Sequence, residues 1–275
     1  MSSGEGFRRV TKDAPCPVCG KTDWCVRNAD GSAAICPRVA DGSTKMIEGS
    51  GWLHVLDPAL NSSRLGNMPT VRLKPQERYT PNEISKLWQE LSSRDSCANT
   101  LCTSLGVSFY AMHQIGVAWY RDRDAWAFPM QDAMGHVIGI RLRLWSGKKF
   151  AVKGSKNGLF IPRNLEHGRR LYVVEGESDT AAGIDLGLPI VGRPGCLGGT
   201  AHLVRMLQWR WGRLADRPRV FVIADSDKPG VEGANRLAKQ LQRFCPSCTV
   251  LIPPAKDLRA WVQQGATKAD VERLI

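Results

Sequence analysis

The chain has 275 residues, 43% of them hydrophobic, with 38 Lys and Arg against 26 Asp and Glu, a formal charge of +12. This composition excludes a disordered tail and suffices for one large domain or two smaller ones. The positive excess favours a polyanionic partner, because each phosphate contact releases counterions, although a generally basic soluble protein has the same charge.

No stretch approaches ~18 consecutive apolar residues, so no transmembrane helix is expected. The N-terminal "MSSGEGFRRVTKDAPCPVCG" has no apolar run of the secretory type. A cytoplasmic protein without membrane contact is the expectation. Four of the nine cysteines fall between residues 16 and 36, spaced Cys16-x2-Cys19-x5-Cys25-x10-Cys36. Without an export signal this cluster reads as metal ligation before disulfides, the alternative being four buried or free thiols. His54 is a spare ligand candidate. Residues 1–56 form this small module, and 57–80, rich in Pro, Asn, Ser and Arg, read as a linker.

An amphipathic helix follows in "PNEISKLWQELSSR", with Pro81 suited to its first turn and Ile84, Leu87, Trp88 and Leu91 on one face. "VAWYRDRDAWAFPM", "GHVIGIRLRLW" and "KKFAVKG" read as antiparallel strands. Ile140, Leu142 and Leu144 alternate with Arg141 and Arg143, so one face packs and the other presents positive charge. Residues 81–168 are thus a small basic α+β subdomain.

From 169 to 275 strands and helices alternate. "LYVV" leads to a helix from about Ser178 to Gly187. "PIVG" leads to "AHLVRMLQWRW", "RVFVIA" to "VEGANRLAKQLQRF", and "TVLI" to "LRAWVQQG". Thr267 and Asp270 resemble a capping box for a last short helix. Alternating β and α with apolar strands predicts an α/β fold, a parallel sheet flanked by helices. The pair Cys245 and Cys248 lacks a partner pair and reads as incidental.

In such a sheet the functional edge lies at the carboxyl ends of the strands. Acids stand there after three strands: Glu175 and Asp179, Asp225 and Asp227, and Asp257. Clustered carboxylates repel unless a hard cation such as Mg²⁺ sits among them, and they otherwise serve as helix caps. The cap reading suits Asp179 best, and the metal reading suits the set.

"VVEGESD", "GCLGGTA", "DSDKPG" and "AKD" together resemble the TOPRIM fold shared by bacterial-type primases, topoisomerases and some nucleases. The resemblance implies catalytic divalent metal, Mg²⁺ or Mn²⁺, on Glu175, Asp225 and Asp227, with Asp179 and Asp257 as further acids. It matches Gly199 and Thr200 to the step before the second helix. "WAFPMQDAMGHVIGIRLR" with "KKFAVKGSKNGLFIP" is similar to the basic subdomain preceding TOPRIM in bacterial-type DNA primases. That likeness implies template and nucleotide contacts from Arg141, Arg143, Lys149 and Lys153. Trp119, Trp126 and Trp145 are candidates either for stacking on bases or for the core. "CPVCG" fits the zinc-binding domain of the same primases. Cys16, Cys19, Cys25 and Cys36 would then make a closed, zinc-ribbon-like structural Zn²⁺ site. The usual mixture of His with Cys is absent. So is a second acid just after Asp257, which leaves one or two catalytic metals open.

The function implied is synthesis of short RNA primers on single-stranded DNA from NTPs, in a compact primase of phage or mobile-element type. No G-x-x-x-x-G-K-[ST] loop occurs, so a helicase would be a separate chain. Two alternatives stand beside it. One is a TOPRIM nuclease using the same acids, and the other is an inactive single-strand-binding replication accessory protein.

Overall fold

The computed structural model describes residues 7–47, 50–56, 79–93, 98–195 and 198–275. The chain divides into two compact units, Met1–Gln76 and Glu77–Ile275. Most of the expected linker, residues 57–78, lies outside the described residues. Among the described residues no helix is long and apolar enough to cross a membrane.

The first unit is a sheet of five short strands: β1 Arg8–Arg9, β2 Val26–Arg27, β3 Ala33–Cys36, β4 Lys45–Ile47 and β5 Gly51–Val55. Their order is β1-β2-β3-β5-β4, and every pairing is antiparallel. Two small apolar clusters hold it. One joins Ala33, Ile35 and Leu53, and the other gathers Val10 around Cys16, Cys25 and Cys36. Cores this small seldom stabilise a module alone, so the cysteine cluster is the natural staple.

The second unit opens with α1, Pro81–Ser92, where the sequence places it. Thr80 and Glu83 close a reciprocal capping box, Pro81 occupies the first turn, and Ile84, Trp88 and Leu91 are buried. Two further helices were not anticipated, α2 Asn99–Leu105 and α3 Phe109–Ile115. Gly106 ends α2 in the left-handed conformation, and Ser108 Oγ caps α3 by accepting the Ala111 N–H. Strands β6 Ala118–Tyr120, β7 Ala125–Gln131, β8 Val137–Leu144 and β9 Lys149–Ala151 form the expected antiparallel sheet. Its apolar face, with Ala127, Ile140 and Leu142, packs on α1.

The parallel sheet comprises β10 Arg170–Glu175, β11 Ile190–Arg193, β12 Arg219–Ile223 and β13 Cys248–Leu251, in the order β11-β10-β12-β13. Period-two alternation divides its side chains between two cores. Tyr172, Val174, Phe221 and Ile223 enter one, against α4 Glu177–Asp185 and against Trp126 and Phe128 of β7. Leu171, Val173, Val220 and Val222 enter the other, against α5 Thr200–Trp211 and α6 Lys228–Leu241. The chain closes with α7 Leu258–Gln263 and α8 Lys268–Glu272, and the expected Thr267–Asp270 capping box is present. Between the sheets, Leu159 bridges to Gln131 and Phe160 to Gly192. Those bridges fix the basic sheet beside the carboxyl edge of the parallel one.

One boundary differs from expectation. Helix α6 starts at Lys228, not at about Val231. Asp227 is its cap and Pro229 lies in its first turn, so "DKPG" is a helix start and not a loop. Gly230 therefore sits inside the helix. A Cβ there would stand 2.6 Å from the Asp225 carbonyl oxygen, so only glycine fits.

Candidate active site

The carboxyl edge of the parallel sheet and the charged face of the antiparallel sheet form one open cleft of about 290 Å³. Glu175, Asp179, Asp225 and Asp257 line it together with Arg141, Arg143, Lys149, Lys256 and Arg259. Asp227 is exposed and outside this lining, but its charge acts on Asp225. Lys153 is exposed in the turn after β9 and does not line the cleft.

The strand ends explain the gathering. β10 delivers Glu175, and Gly176 at φ 90° turns the chain directly into α4. Only glycine reaches that backbone conformation at little cost. β12 ends at Ile223, and Asp225 stands in the short link between it and the Asp227 cap of α6. Burial pushes the Asp225 carboxyl up to about 6, reinforced by Glu175, Asp257 and Asp227. Burial also raises Glu175, against the pull of Arg193 and Lys149. Asp179 is raised to about 7 by burial and by the charges of Asp257 and Asp225.

Capping and metal binding are not exclusive here. Asp227 Oδ1 accepts the Gly230 N–H at 2.8 Å, and Asp257 Oδ1 accepts the Ala260 N–H at 2.7 Å. Each carboxylate thereby commits one oxygen and keeps another. Asp179 departs from expectation. It does not cap its own helix, whose N-cap is Gly176 without a side-chain bond. Its Oδ1 instead accepts the Arg259 N–H at the start of α7, at 2.9 Å.

Arg143 and Lys149 are direct cross-strand partners on β8 and β9. Like charges so placed repel. Glu177, fully buried, lies between them: Oε1 is 2.9 Å from both Arg143 Nη1 and Lys149 Nζ. Burial alone would raise the Glu177 carboxyl, but Lys149 and Arg143 outweigh it and hold the group below its usual range. The sequence displays Glu177 inside "EGESD" without revealing this role, because its partners lie on strands some thirty residues upstream. Arg193 was likewise missed. It is buried at the end of β11, with Nε donating to the Gly198 carbonyl, and its charge acts on Glu175. The tryptophans form a cluster, Trp126 buried with Trp119 and Trp145 at ring distances of 4.9 and 5.8 Å, while Trp145 is half exposed.

In the first unit the ligand atoms of Cys16, Cys19, Cys25 and Cys36 all lie within 4.8 Å of one another, alone among the described residues in forming such a group. The Sγ separations Cys19–Cys25 and Cys25–Cys36 are 3.6 and 3.8 Å. A tetrahedron with Zn–S bonds of ~2.3 Å has edges of about 3.8 Å, so the donor set fits zinc. His54 is not a ligand; its Nε2 donates to the Val39 carbonyl at 2.9 Å. Cys245 Sγ is held by the carbonyls of Leu241 and Ser247, as suits a structural thiol.

A parallel sheet flanked by helices, with a glutamate after one strand and an Asp-x-Asp after another, is faced here by a basic antiparallel sheet. Solved structures that the chain resembles include primase cores. A DnaG catalytic core matches at 16% identity and TM-score 0.54, covering 70% of this chain and 77% of that one. The Escherichia coli primase catalytic core matches at 17% and 0.53, over 70% and 77%. A DnaG catalytic domain bound to single-stranded DNA matches at 16% and 0.53, over 70% and 78%. The chain has the fold of the bacterial-type primase catalytic core. No protein-family profile matches the sequence, and no curated protein matches it.

Proposed function

We propose that the chain is a DNA primase, building short RNA primers on single-stranded DNA from NTPs. The observation that carries this reading is the single cleft in which Glu175, Asp225 and Asp257 face Arg141, Arg143 and Lys149. A nuclease needs the acids, but the opposed cations suit a reaction whose substrates are a triphosphate and a polyanionic template. That the fold also occurs in a DnaG domain bound to single-stranded DNA supports the same substrate class.

The acids crowd mutually repelling charge that Arg193, Lys149 and Lys256 offset only in part, which is the donor chemistry for Mg²⁺ or Mn²⁺. Glu175, Asp225 and Asp227 would hold it, with Asp257 beside them, and it would supply positive charge to neutralise the triphosphate. The chain's own groups supply the rest. Glu175, half-buried and with its carboxyl raised by burial, would take the proton from an attacking ribose 3′-hydroxyl. Arg141, which forms no ion pair among the described residues, grips phosphates, and Lys149, Arg143 and Lys256 add positive charge to the cleft. The tetrathiolate site would hold a structural Zn²⁺ in the first unit. A replicative helicase would be a separate chain, and a cytoplasmic setting suits the reading.

The test is incubation of the purified chain with single-stranded DNA, labelled NTPs and Mg²⁺ or Mn²⁺. Metal-dependent oligoribonucleotides are expected. Shortened template would support a nuclease instead, and binding alone an accessory protein.

A further inference from the structure

Among the described residues Trp24 has two properties that do not belong together. Its φ is 62°, left-handed backbone that a bulky L-residue adopts only under strain. Its side chain is 70% exposed, the most exposed large apolar group in the described structure. Burial therefore does not compensate the strain. Trp24 is the centre of a three-residue turn closed by the Cys25 N–H donating to the Asp23 carbonyl at 2.8 Å. With positive φ at its centre this is the rare, strained form of the γ-turn.

The surroundings hold the turn in place. Cys25 is buried within the thiol cluster. Arg38 clamps Asp23 from the other side, Nη1 to the carbonyl at 2.9 Å and Nη2 to Oδ1 at 2.8 Å. Strain that a rigid frame maintains at an exposed position points to function. Gly20, Lys21, Thr22 and Asp23, the four residues before Trp24, are all exposed and none carries an apolar side chain. A protein-binding patch would cluster apolar residues in its core. An exposed π-face carried on a held backbone suits a base instead. Cations are at hand: Lys21 is exposed, and Arg9 is exposed on β1, where the next residue, Val10, donates its N–H to the Cys25 carbonyl.

We propose that Trp24 is a stacking platform for one unpaired base of a single-stranded nucleic acid, with Arg9 and Lys21 as flanking phosphate contacts. The inference rests on the single-strand-binding part of the function proposed above. It assigns a particular residue to the zinc module's share of that binding.

The test uses the full chain with Trp24→Gly, Trp24→Phe and Arg9→Ala. Glycine relieves the backbone strain and removes the ring, so function and stability should move apart. Melting temperature and zinc content should hold or rise, while affinity for an oligodeoxynucleotide falls roughly 5- to 100-fold. The salt dependence of the remaining binding should be unchanged, because stacking releases no counterions, whereas Arg9→Ala should lower the slope by about 0.7. Trp24→Phe should retain most of the affinity. Loss of zinc or of stability in Trp24→Gly would show the ring to be structural and overturn the proposal, as would unchanged affinity. Weakened binding to an apolar peptide surface alone would overturn it too. If Trp24 governs single-strand binding but the wild-type chain makes no primers, the platform stands and the primase reading falls.

Discussion

Asp179 Oδ1 accepts the backbone N–H of Arg259 at 2.9 Å, tying the first turn of α4 to the first turn of α7 across eighty positions of sequence. Asp257 caps the same helix through the Ala260 N–H, so two acids of the cleft share one helix start. Asp179→Asn can keep this bond through its amide oxygen and removes a charge that burial and Asp257 disfavour, so its melting temperature should equal or exceed wild type. Asp179→Ala leaves the Arg259 N–H without that partner and should cost about 1 kcal/mol. Denaturant titration of the two variants checks the ordering. Equal losses would mean that the charge, and not the bond, matters.

Asp225 and Asp227 are separated by their second bonds. Asp225 has no cap duty, and burial with repulsion from Glu175 disfavours its charge. Asp225→Asn should abolish synthesis while raising stability in the absence of metal. Asp227→Asn also loses a charge but retains an acceptor for the Gly230 N–H, so it should be inactive with stability unchanged. Glu175→Gln should be inactive as well. Primer synthesis and melting temperature measured on all three separate these roles, and near-normal synthesis by Asp225→Asn would sink the metal-site assignment.

The raised acids also set a pH dependence. A carboxyl whose folded pKa exceeds its unfolded value contributes stability below the unfolded value, lost as pH rises through the folded one. Asp225 and Asp179 rise from 3.8 to about 6 and about 7. With chelator present, stability should therefore decline between about pH 4 and 7. Glu177 is shifted the opposite way, so its contribution is complete above its ordinary value and is lost only in more acid solution. Added Mg²⁺ should restore the melting temperature most at pH 7 and above. A flat profile, or no response to Mg²⁺, would contradict the cluster as described.

What the sequence made legible follows from which forces are local. Alternation along β10 and β12 sends Tyr172, Val174, Phe221 and Ile223 to one core and their neighbours to the other, and that pattern is visible in the residues themselves. The Thr267 box was visible for the same reason. Helices α2 and α3 were not, because "NTLCTSL" and "FYAMHQI" are short and carry no clear amphipathic repeat; caps at Gly106 and Ser108 and burial against the core define them. The acids of the site were readable as a set of strand ends. The Glu177 ion pairs depend on the register of β8 against β9 and on how the two sheets meet, neither of which is written in neighbouring residues.

The thiol geometry predicts one zinc ion per chain, removable only with loss of the first unit's fold. Burial would raise Cys19, but the Lys21 N–H and the other thiols draw it down to about 7, while burial and those thiols push Cys25 above its ordinary range. Elemental analysis should give one zinc, and Cys25→Ser should lower it. A folded, zinc-free first unit would refute the assignment.

The two arginines of β8 should differ, although the sequence presents them alike. Arg141 lines the cleft with no ion pair among the described residues, whereas Arg143 is bound to buried Glu177. Arg141→Ala should reduce the salt slope of single-strand binding by about 0.7 and leave melting temperature unchanged. Arg143→Ala removes one of two cations answering a buried carboxylate, so it should lower stability by roughly 2–3 kcal/mol, less than a fully buried pair because Lys149 remains. Glu177→Gln frees both cations and should be destabilised as well. It should also shift the balance of charge in the cleft, since Lys149 already acts on Glu175 and is no longer held by Glu177. Weaker Mg²⁺ dependence, with template affinity equal to or above wild type, is expected for that variant. If Arg141→Ala and Arg143→Ala prove indistinguishable in both stability and salt slope, the division of labour set by Glu177 is wrong.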